Sequence, residues 1–510
     1  MNSVFKKKKN ILVFVSLAMI IIIAFLLRFY GLSFIPPGLY PDEAANGLSA
    51  LNILDGNHGV YFPENGGREG MYYYILALFI NIFGRSILAL RAASALIGSV
   101  TIFFVYLLGK ELWDRRVGSV ASFFLAVSHW HIIISRDVFR AILVPMVLAI
   151  VFYFLVKAFK TKKPIHFILS GIFIALGFYT YPGYQGIVFL FIFLLAYFLL
   201  FKRKYLLKNI KNIGLGFLSF VIVFAPMLVF IIQNPGTYFG RSAGVSIFSA
   251  EVAEVFGGFF GALWNNIVKS ALMFNFSGDM NPRHNIPGIP MLDYIVGILF
   301  VIGLVYSVLR FYKIRNLVSL SAIGVFLIPQ LMSVEGIPHG LRTLGILPFV
   351  MIIAALPIVY LFEKIKNLKW KRIYLGIVLL IFVLITYGTV EKTFIHYPSI
   401  PDVHYEYSED LVAISEYINS SSEKYTLIFD EYYGYSIQTI QYLVSDSSKY
   451  NLVEVWKIGE YDFDGENVIV AVNGRGFFDQ IKSEYEVSDI YKAKGKFGND
   501  LFDIYKLEKL

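Results

Sequence analysis

The sequence predicts an all-α polytopic membrane domain followed by a small α/β domain, on three observations. The 510-residue chain is 57% hydrophobic and 16% charged, with a mean hydropathy of +0.64, which excludes an ordinary soluble globule. Its apolar residues fall in runs of about twenty, the length that crosses a hydrocarbon core of roughly 30 Å. Near residue 390 that composition stops. In 391–510 Asp, Glu, Lys, Ser and Tyr are frequent, and apolar runs such as Tyr425–Phe429 and 467–472 alternate with helical patterns near 405–419, 434–445 and 475–484. Cysteine is absent, so disulfides, thiolate nucleophiles and thiolate metal sites are excluded and any metal must use oxygen or imidazole ligands. The net charge of +9 does not imply nucleic acid, because the basic residues sit in short clusters between apolar runs.

The first run, 11–30, follows Lys6 to Lys9. Its apolar part is too long for a signal-peptide core and no small-residue cleavage site follows, so it reads as an uncleaved anchor with a cytoplasmic N-terminus. Further spans are predicted at 88–109, 117–134, 138–158, 164–180, 183–201, 212–232, 291–310, 317–333, 342–362 and 373–390, about eleven in all. Alternating sides places the basic clusters at 110–116, 157–163, 202–208, 310–315 and 364–372 in the cytoplasm, as the positive-inside rule requires. This holds only if Met71–Phe83 does not span. At about thirteen residues it is too short, and it reads as a surface helix of the outer leaflet. The organisation expected is therefore a membrane domain over 1–390, with a first external loop at 31–87 and a long one at 233–290, and an extracytoplasmic domain over 391–510.

Every polar segment with potential chemistry then lies outside. Cytoplasmic loops are short, with no Gly-rich phosphate loop or metal-binding acidic pair for a soluble nucleotide donor, so the donor expected is one already in the membrane. The acidic pair Asp42-Glu43 opens the first external loop, where ionised carboxylates so close to a bilayer must be solvated, paired or used.

Tyr40-Pro-Asp-Glu43, Gly67-Arg-Glu-Gly-Met-Tyr-Tyr-Tyr74, Leu90-Arg-Ala-Ala-Ser-Ala-Leu96, Tyr106-Leu-Leu-Gly-Lys-Glu-Leu112 and Ser135-Arg-Asp-Val-Phe-Arg140 resemble the protein O-mannosyltransferase and aminoarabinose-transferase group of the glycosyltransferase C superfamily. The resemblance runs over roughly 1–390 and is densest over 38–160. It implies a polyprenyl-phosphate-linked sugar donor, inverting transfer of a hexosyl or pentosyl group to a lipid, glycan or protein on the outer face, surface helices in the first loop, and a catalytic acidic residue there. Asp42 is the expected general base, with Glu43 beside it. A hydroxyl is a poor nucleophile at neutral pH, and a carboxylate that accepts its proton lowers the barrier. The leaving phosphate calls for cations, and Arg91, Arg136, Arg140, His339 and Arg342 lie at the external ends of spans. Arg68, Glu69, Asp137, Tyr72, Tyr181, Arg283 and His284 complete the candidate set as supporting or substrate-binding groups.

Each residue has a plainer rival. Asp42 suits a helix N-cap, Arg68-Glu69 a solvated ion pair, and Asp137 a partner for Arg136 and Arg140. Arg91 could snorkel to the interface, as Arg28 and Arg310 are expected to do. Gly70 stands where family members often carry Pro, which leaves the local geometry open. A divalent metal held by Asp42, Glu43 and Glu69, with His58 nearby in sequence, is open too, although no tight ligand spacing supports it. A transporter or flippase of polyprenyl-linked glycans is the alternative of different class. It would predict ionisable residues buried within spans and an inverted repeat.

Overall fold

The computed structural model describes residues 2–62, 67–238, 247, 258–334, 336–429, 437–463, 465–471, 479 and 483–510. In chain order the elements are α1 (Asn2–Phe29), α2 (Pro41–Leu54), β1 (Tyr61–Phe62), β2 (Arg68–Glu69), α3 (Met71–Phe83), α4 (Ile87–Leu112), α5 (Arg115–Ala126), α6 (His129–Ser135), α7 (Leu143–Thr161), α8 (Pro164–Gly177), α9 (Ile187–Phe201), α10 (Arg203–Lys208) and α11 (Ile210–Gln233). Then come α12 (Phe259–Leu272), α13 (Tyr294–Val308), α14 (Ile314–Leu331), α15 (Leu347–Lys364), α16 (Leu368–Val390), α17 (Pro401–Glu406) and α18 (Glu409–Ser420). The C-terminal part adds β3 (Tyr425–Phe429), α19 (Gln438–Leu443), β4 (Tyr450–Glu454), β5 (Asn467–Ala471), β6 (Tyr485–Lys494) and β7 (Asp500–Lys509).

Every predicted span is helical. Among the described residues seven helical stretches, Ile87–Leu112, Arg140–Thr161, Pro182–Phe201, Ile210–Gln233, Ile314–Leu331, Leu344–Lys364 and Leu368–Ser399, are long and apolar enough to cross a membrane. The predicted spans at 11–30, 164–180 and 291–310 are the shorter apolar helices Val13–Phe29, Pro164–Gly177 and Tyr294–Val308. The stretch predicted as one span at 117–134 is α5 and α6, bent by 61°. Helix α3 covers Met71–Phe83 as expected, and its 13 residues reach only about 20 Å at 1.5 Å per residue.

The chain divides into two compact units. The first comprises Met1–Tyr30, Gly59–Tyr72 and Ser94–Ile395, and the second Gly31–His58, Tyr73–Ala93 and His396–Leu510. Sequence reasoning placed the whole first loop with the membrane domain. The structure instead groups 31–58 and 73–93 with the C-terminal residues, through buried hydrogen bonds described below.

In the first unit α15 is the central helix, with Leu347 to Val359 all buried, whereas α11 buries only Gly216 and Met227 and presents Phe217, Ile222 and Ile232 outward. Apolar side chains facing outward are what a bilayer solvates. Close helix approach relies on small residues, because lipid supplies no hydrophobic drive between helices. A Cβ added at Gly171 of α8 would lie 1.9 Å from the Gly216 carbonyl oxygen of α11, and one at Gly303 of α13 would lie 2.1 Å from that of Ile353 on α15.

The bend between α5 and α6 leaves carbonyls without helical partners. Arg28, expected to snorkel, is instead fully buried. Its Nη1 donates to Ala126 O (3.0 Å) and its Nη2 to Leu125 O (3.2 Å), with the Nδ1 of His131 2.8 Å from Nη2. An unpaired buried carbonyl is costly; the guanidinium satisfies Ala126 O at the break and adds to Leu125 O, which also accepts the Ser128 N–H at 3.4 Å.

The second unit contains a five-stranded sheet in the order β4-β3-β5-β7-β6, with β3 parallel to both β4 and β5, and β7 antiparallel to β5 and β6. Alternate residues of β3 feed two cores. Leu427 packs with Leu411, Ile414, Ile418, Ile440 and Ile504, and Ile428 with Val453, Phe463, Val468 and Val470, as the two-residue side-chain period dictates. The strands predicted at 425–429 and 467–472 are β3 and β5. The helical patterns near 405–419 and 434–445 correspond to α17 with α18 and to α19, while most of the pattern at 475–484 lies outside the described residues.

Two outcomes follow for stability. Gly303→Val should lower the melting temperature in detergent, since overpacking of this kind costs ~1–3 kcal/mol, whereas Gly376→Val on α16, with nothing within 4 Å, should not. His404 is one pH-sensitive group of the second unit. Burial pushes its pKa down, but a 2.7 Å contact with Glu409 and a 3.0 Å contact with Pro398 O outweigh that and raise it. A raised histidine stabilises fully below its unfolded value of about 6.5 and loses that contribution as pH rises through the folded value. The wild type should therefore lose its stability advantage over His404→Gln as pH climbs through that window in thermal melts.

Candidate active site

Helix α2 begins on a capping device. Tyr40 is the N-cap, Pro41 the first helical residue, and the Tyr40 backbone N–H donates to Oε2 of Glu43 at 3.0 Å. Proline suits that first position because its missing N–H has no helical partner there. Asp42 is therefore not the N-cap. It occupies the first turn, half-buried, where the helix dipole favours a carboxylate.

Glu43 is fully buried and carries the structural load of the acidic pair. Arg91 Nε donates to its Oε1 at 3.0 Å and Nη2 to its Oε2 at 2.9 Å, with both side chains inaccessible to solvent. The same guanidinium donates to Pro36 O (2.7 Å) and Gly38 O (2.8 Å) and lies over the Tyr407 ring at 5.7 Å. Arg91 thus binds a carboxylate and the backbone of its own loop. This geometry replaces both the snorkelling expectation and the phosphate-binding one.

In the first unit the β1–β2 hairpin pairs Tyr61 with Glu69 and Phe62 with Arg68. Gly70 follows because there is no room for more. A Cβ there would meet the carbonyls of Gly59 and Val60 at 3.0 Å. The hairpin delivers Glu69 to Arg140, Oε2 to Nη1 at 2.8 Å with both side chains almost buried, and Arg140 also lies 5.6 Å over the Tyr181 ring. The plainer alternative of a solvated Arg68–Glu69 pair does not hold, because Glu69 and Arg68 are both buried. Tyr72 is fully buried with its hydroxyl on Ser94 Oγ, which makes it core rather than a sugar platform. Arg136 donates to Arg28 O (3.0 Å) and Leu27 O (3.3 Å) and lies over Phe394, while the buried Asp137 accepts Val138 N–H at 2.6 Å. Arg136 is thus a backbone brace between α6 and the end of α1.

A second constellation joins two loops. Asp279 Oδ2 lies 2.7 Å from His284 Nδ1 and accepts the Gly340 N–H at 2.7 Å, and its Oδ1 accepts the Asn281 N–H at 2.9 Å. The His284 ring stacks on His339 with centroids 4.5 Å apart. Trp130 Nε1 donates to Gly340 O, His339 N donates to Gln330 Oε1, and Arg342 Nη1 to Ser333 Oγ. Burial pushes the Asp279 pKa up, but the His284 bond and the two N–H donors outweigh it and hold the carboxyl below its usual range. For His284 burial wins over Asp279 and lowers the pKa. His339 is driven well down, by burial first and then by His284 and Arg342. The loops at 278–288 and 333–343, 61 residues apart at Asp279 and Gly340, thus share one buried polar brace.

Among the described residues, Asp279, His284 and His339 form the group whose ligand atoms, within 4.8 Å of one another, could hold a metal ion. The donor set does not fit one well. Asp279 already accepts three hydrogen bonds, and Arg283 and Arg342 act on the pair of imidazoles as nearby positive charges. The alternative set read from sequence fares no better, because Glu43 and Glu69 are each bound to an arginine. Asp279 was legible as part of a turn-rich run, but its contact with Gly340 joins residues far apart in sequence, and no local pattern signals it.

The buried pair sets a quantitative expectation. Arg91→Met strands the Glu43 carboxylate and should cost about 3–5 kcal/mol of stability, and the double variant Arg91→Met with Glu43→Gln should recover part of it. Equilibrium unfolding in detergent reads both. Equal losses in single and double variants would mean that the Pro36 and Gly38 carbonyls, rather than the ion pair, carry the effect.

Residues 70–230 match the dolichyl-phosphate-mannose-protein mannosyltransferase family. Among solved structures, ArnT from Cupriavidus metallidurans is similar in its apo state (TM-score 0.58, 11% identity) and bound to undecaprenyl phosphate (TM-score 0.57, 10% identity), each with 96% of this chain and 97% of that chain covered. The Archaeoglobus fulgidus oligosaccharyltransferase tethered with an acceptor peptide is similar at a TM-score of 0.53 and 13% identity, over 96% of this chain and 74% of that one. No curated protein sequence matches the chain. The resemblance read from the motifs holds at both levels: the chain has the ArnT-like glycosyltransferase C fold, and over residues 70–230 it carries the sequence pattern of the dolichyl-phosphate-mannose-protein mannosyltransferases.

Proposed function

We propose that the protein is an integral-membrane inverting glycosyltransferase. It moves a hexosyl or pentosyl group from a polyprenyl-phosphate-linked donor to a lipid, glycan or protein acceptor on the extracytoplasmic face, with Asp42 as general base. The observation that carries this reading is the division of labour in the acidic pair. Glu43 caps α2 and binds Arg91, and this device fixes the start of the helix. Asp42 sits half-buried in a first turn fixed by that device.

In the reaction the acceptor oxygen attacks the anomeric carbon on the face opposite the phosphate, and its proton passes to Asp42. The bond from the anomeric carbon to the phosphate oxygen breaks with its electron pair leaving on the polyprenyl phosphate, which inverts the anomeric centre. A positioned base of this kind contributes about 100- to 10,000-fold. The developing phosphate charge calls for cations, and in the first unit Arg283 and Arg342, beside the stacked His284 and His339, are the candidates for that role. Arg140, set by Glu69 and lying over Tyr181, is the third candidate contact. Positive-inside charge placement supports the extracytoplasmic side. ArnT binding undecaprenyl phosphate, as the name of its structure states, supports a polyprenyl carrier.

One observation favours the flippase alternative: Arg28, His131, Arg136 and Asp137 are all buried at the ends of α1 and α6. Both arginines are nevertheless bonded to backbone carbonyls, which reads as bracing rather than a translocation path.

The test is transfer of label from a panel of radiolabelled polyprenyl-phosphate sugars by membranes containing wild type, Asp42→Asn or Arg342→Ala at matched, folded levels. Asp42→Asn should lose transfer by more than about a hundredfold, and Arg342→Ala should weaken both kcat and donor KM. Undiminished transfer by Asp42→Asn would remove the base assignment, and flipping of labelled lipid without transfer would favour the alternative.

A further inference from the structure

Within the second unit the short helix α19 of the C-terminal domain is built into the segment that carries Asp42. Thr439, fully buried, donates its hydroxyl to Leu39 O at 3.0 Å, one residue before the α2 N-cap. The Tyr442 ring, also fully buried, lies against Gly47 on α2, where an added Cβ would sit 2.5 Å from the ring, and its hydroxyl donates to Ser86 O at 3.3 Å. Arg85 donates to the carbonyls of Gln441, Tyr442 and Val444 at the C-terminal end of α19 and lies over the Tyr442 ring at 5.5 Å. A cation on the last carbonyls of a helix satisfies groups that have no helical partner. A second contact repeats the pattern nearby. Gly38, at φ +71°, lets the loop approach Tyr407, where a Cβ would meet the Tyr407 carbonyl at 2.2 Å, and that conformation is one other residues adopt at a cost.

Helix α2 needs such a hold. Its buried face is Pro41, Glu43, Ala44, Ala45, Asn46, Gly47, Ala50 and Ile53, in which Ile53 alone is a large aliphatic side chain, so the face buries little apolar area of its own. With so little to bury, its position is set by what is pressed onto it, and at Gly47 that is Tyr442.

We propose that Tyr442, Thr439 and Arg85 are positioning residues for transfer: the C-terminal domain grips α2 and thereby sets where Asp42 stands. This rests on the assignment of Asp42 as base, and the experiment separates the two. The full-length protein is compared as wild type, Tyr442→Ala, Tyr442→Phe, Gly47→Val and the exposed-site control Lys492→Ala. Hydrogen exchange of the peptide covering α2 is measured together with kcat and donor KM.

Tyr442→Ala should raise α2 exchange by ~10-fold or more while β3 and β5 stay protected, the signature of a local opening. It should lower kcat by ~10- to 100-fold, the scale for a base displaced by about an ångström, with donor KM within about twofold because substrate contacts are untouched. Tyr442→Phe keeps the ring on Gly47 and should retain activity. Gly47→Val wedges the same contact from the α2 side without altering the domain core, and should reproduce the kcat loss even where Tyr442→Ala fails to fold. The inference is overturned if α2 exchange is unchanged in both Tyr442→Ala and Gly47→Val, or if it rises while kcat holds in an enzyme that Asp42→Asn inactivates. Full activity in Asp42→Asn instead removes the base assignment, and the rise in α2 exchange then no longer concerns catalysis.

Discussion

The buried pair of Arg91 and Glu43 organises the start of α2 and the loop before it. Two unit charges withdrawn from water lose several kcal/mol each, and their attraction repays this only when geometry and extra hydrogen bonds are good. Here the bidentate contact at 2.9 and 3.0 Å is supplemented by the carbonyls of Pro36 and Gly38 on the guanidinium and by the Tyr40 N–H on the carboxylate. One side chain thereby fixes a loop, a helix start and an acidic residue. Because this pair fixes Glu43, the neighbouring Asp42 inherits a defined place in the first turn of α2 without having to hold it.

The same economy recurs in the arginines that sequence reasoning assigned to phosphate or to the membrane surface. Arg28 and Arg136 donate to backbone carbonyls at helix ends or breaks, and Arg91 donates to carbonyls of the loop before α2. A chain meant for lipid must satisfy its backbone internally, and a guanidinium with five donors in a fixed fork is well suited to orphaned carbonyls. Arginine at the end of an apolar run is therefore an ambiguous signal. It marks a polar boundary correctly, but whether the head meets a lipid phosphate or a carbonyl depends on a break such as the 61° bend after Ala126, which no local pattern announces.

That asymmetry explains what was legible. The spans were readable because length and hydropathy are properties of a single segment. Thirteen residues of apolar sequence at Met71–Phe83 and the basic clusters sufficed to exclude one helix from the count. Tyr425–Phe429 was readable as a strand for the same reason. The role of Glu43 was not, because its partner lies 48 residues on. The role of Glu69 was not either, since the partner chosen was Arg140 rather than its neighbour Arg68. The grouping of the first loop with the C-terminal residues was the least visible of all, resting on Thr439 to Leu39 and Tyr442 to Gly47, contacts about 400 residues apart in sequence.

The brace of Asp279, His284 and His339 shows how a site can be both rigid and positively charged. Burial alone would keep the imidazoles neutral, and the carboxylate is stabilised by three donors, so the brace holds its shape without needing a second proton on either ring. Its positive character then comes from Arg283 and Arg342. A leaving phosphate develops charge only as the glycosidic bond breaks, and fixed dipoles and cations that require no reorganisation at that moment are the more effective stabilisers. A loop pair locked by hydrogen bonds to a backbone N–H and crowned by permanent cations meets that requirement better than a flexible basic loop of the same composition would.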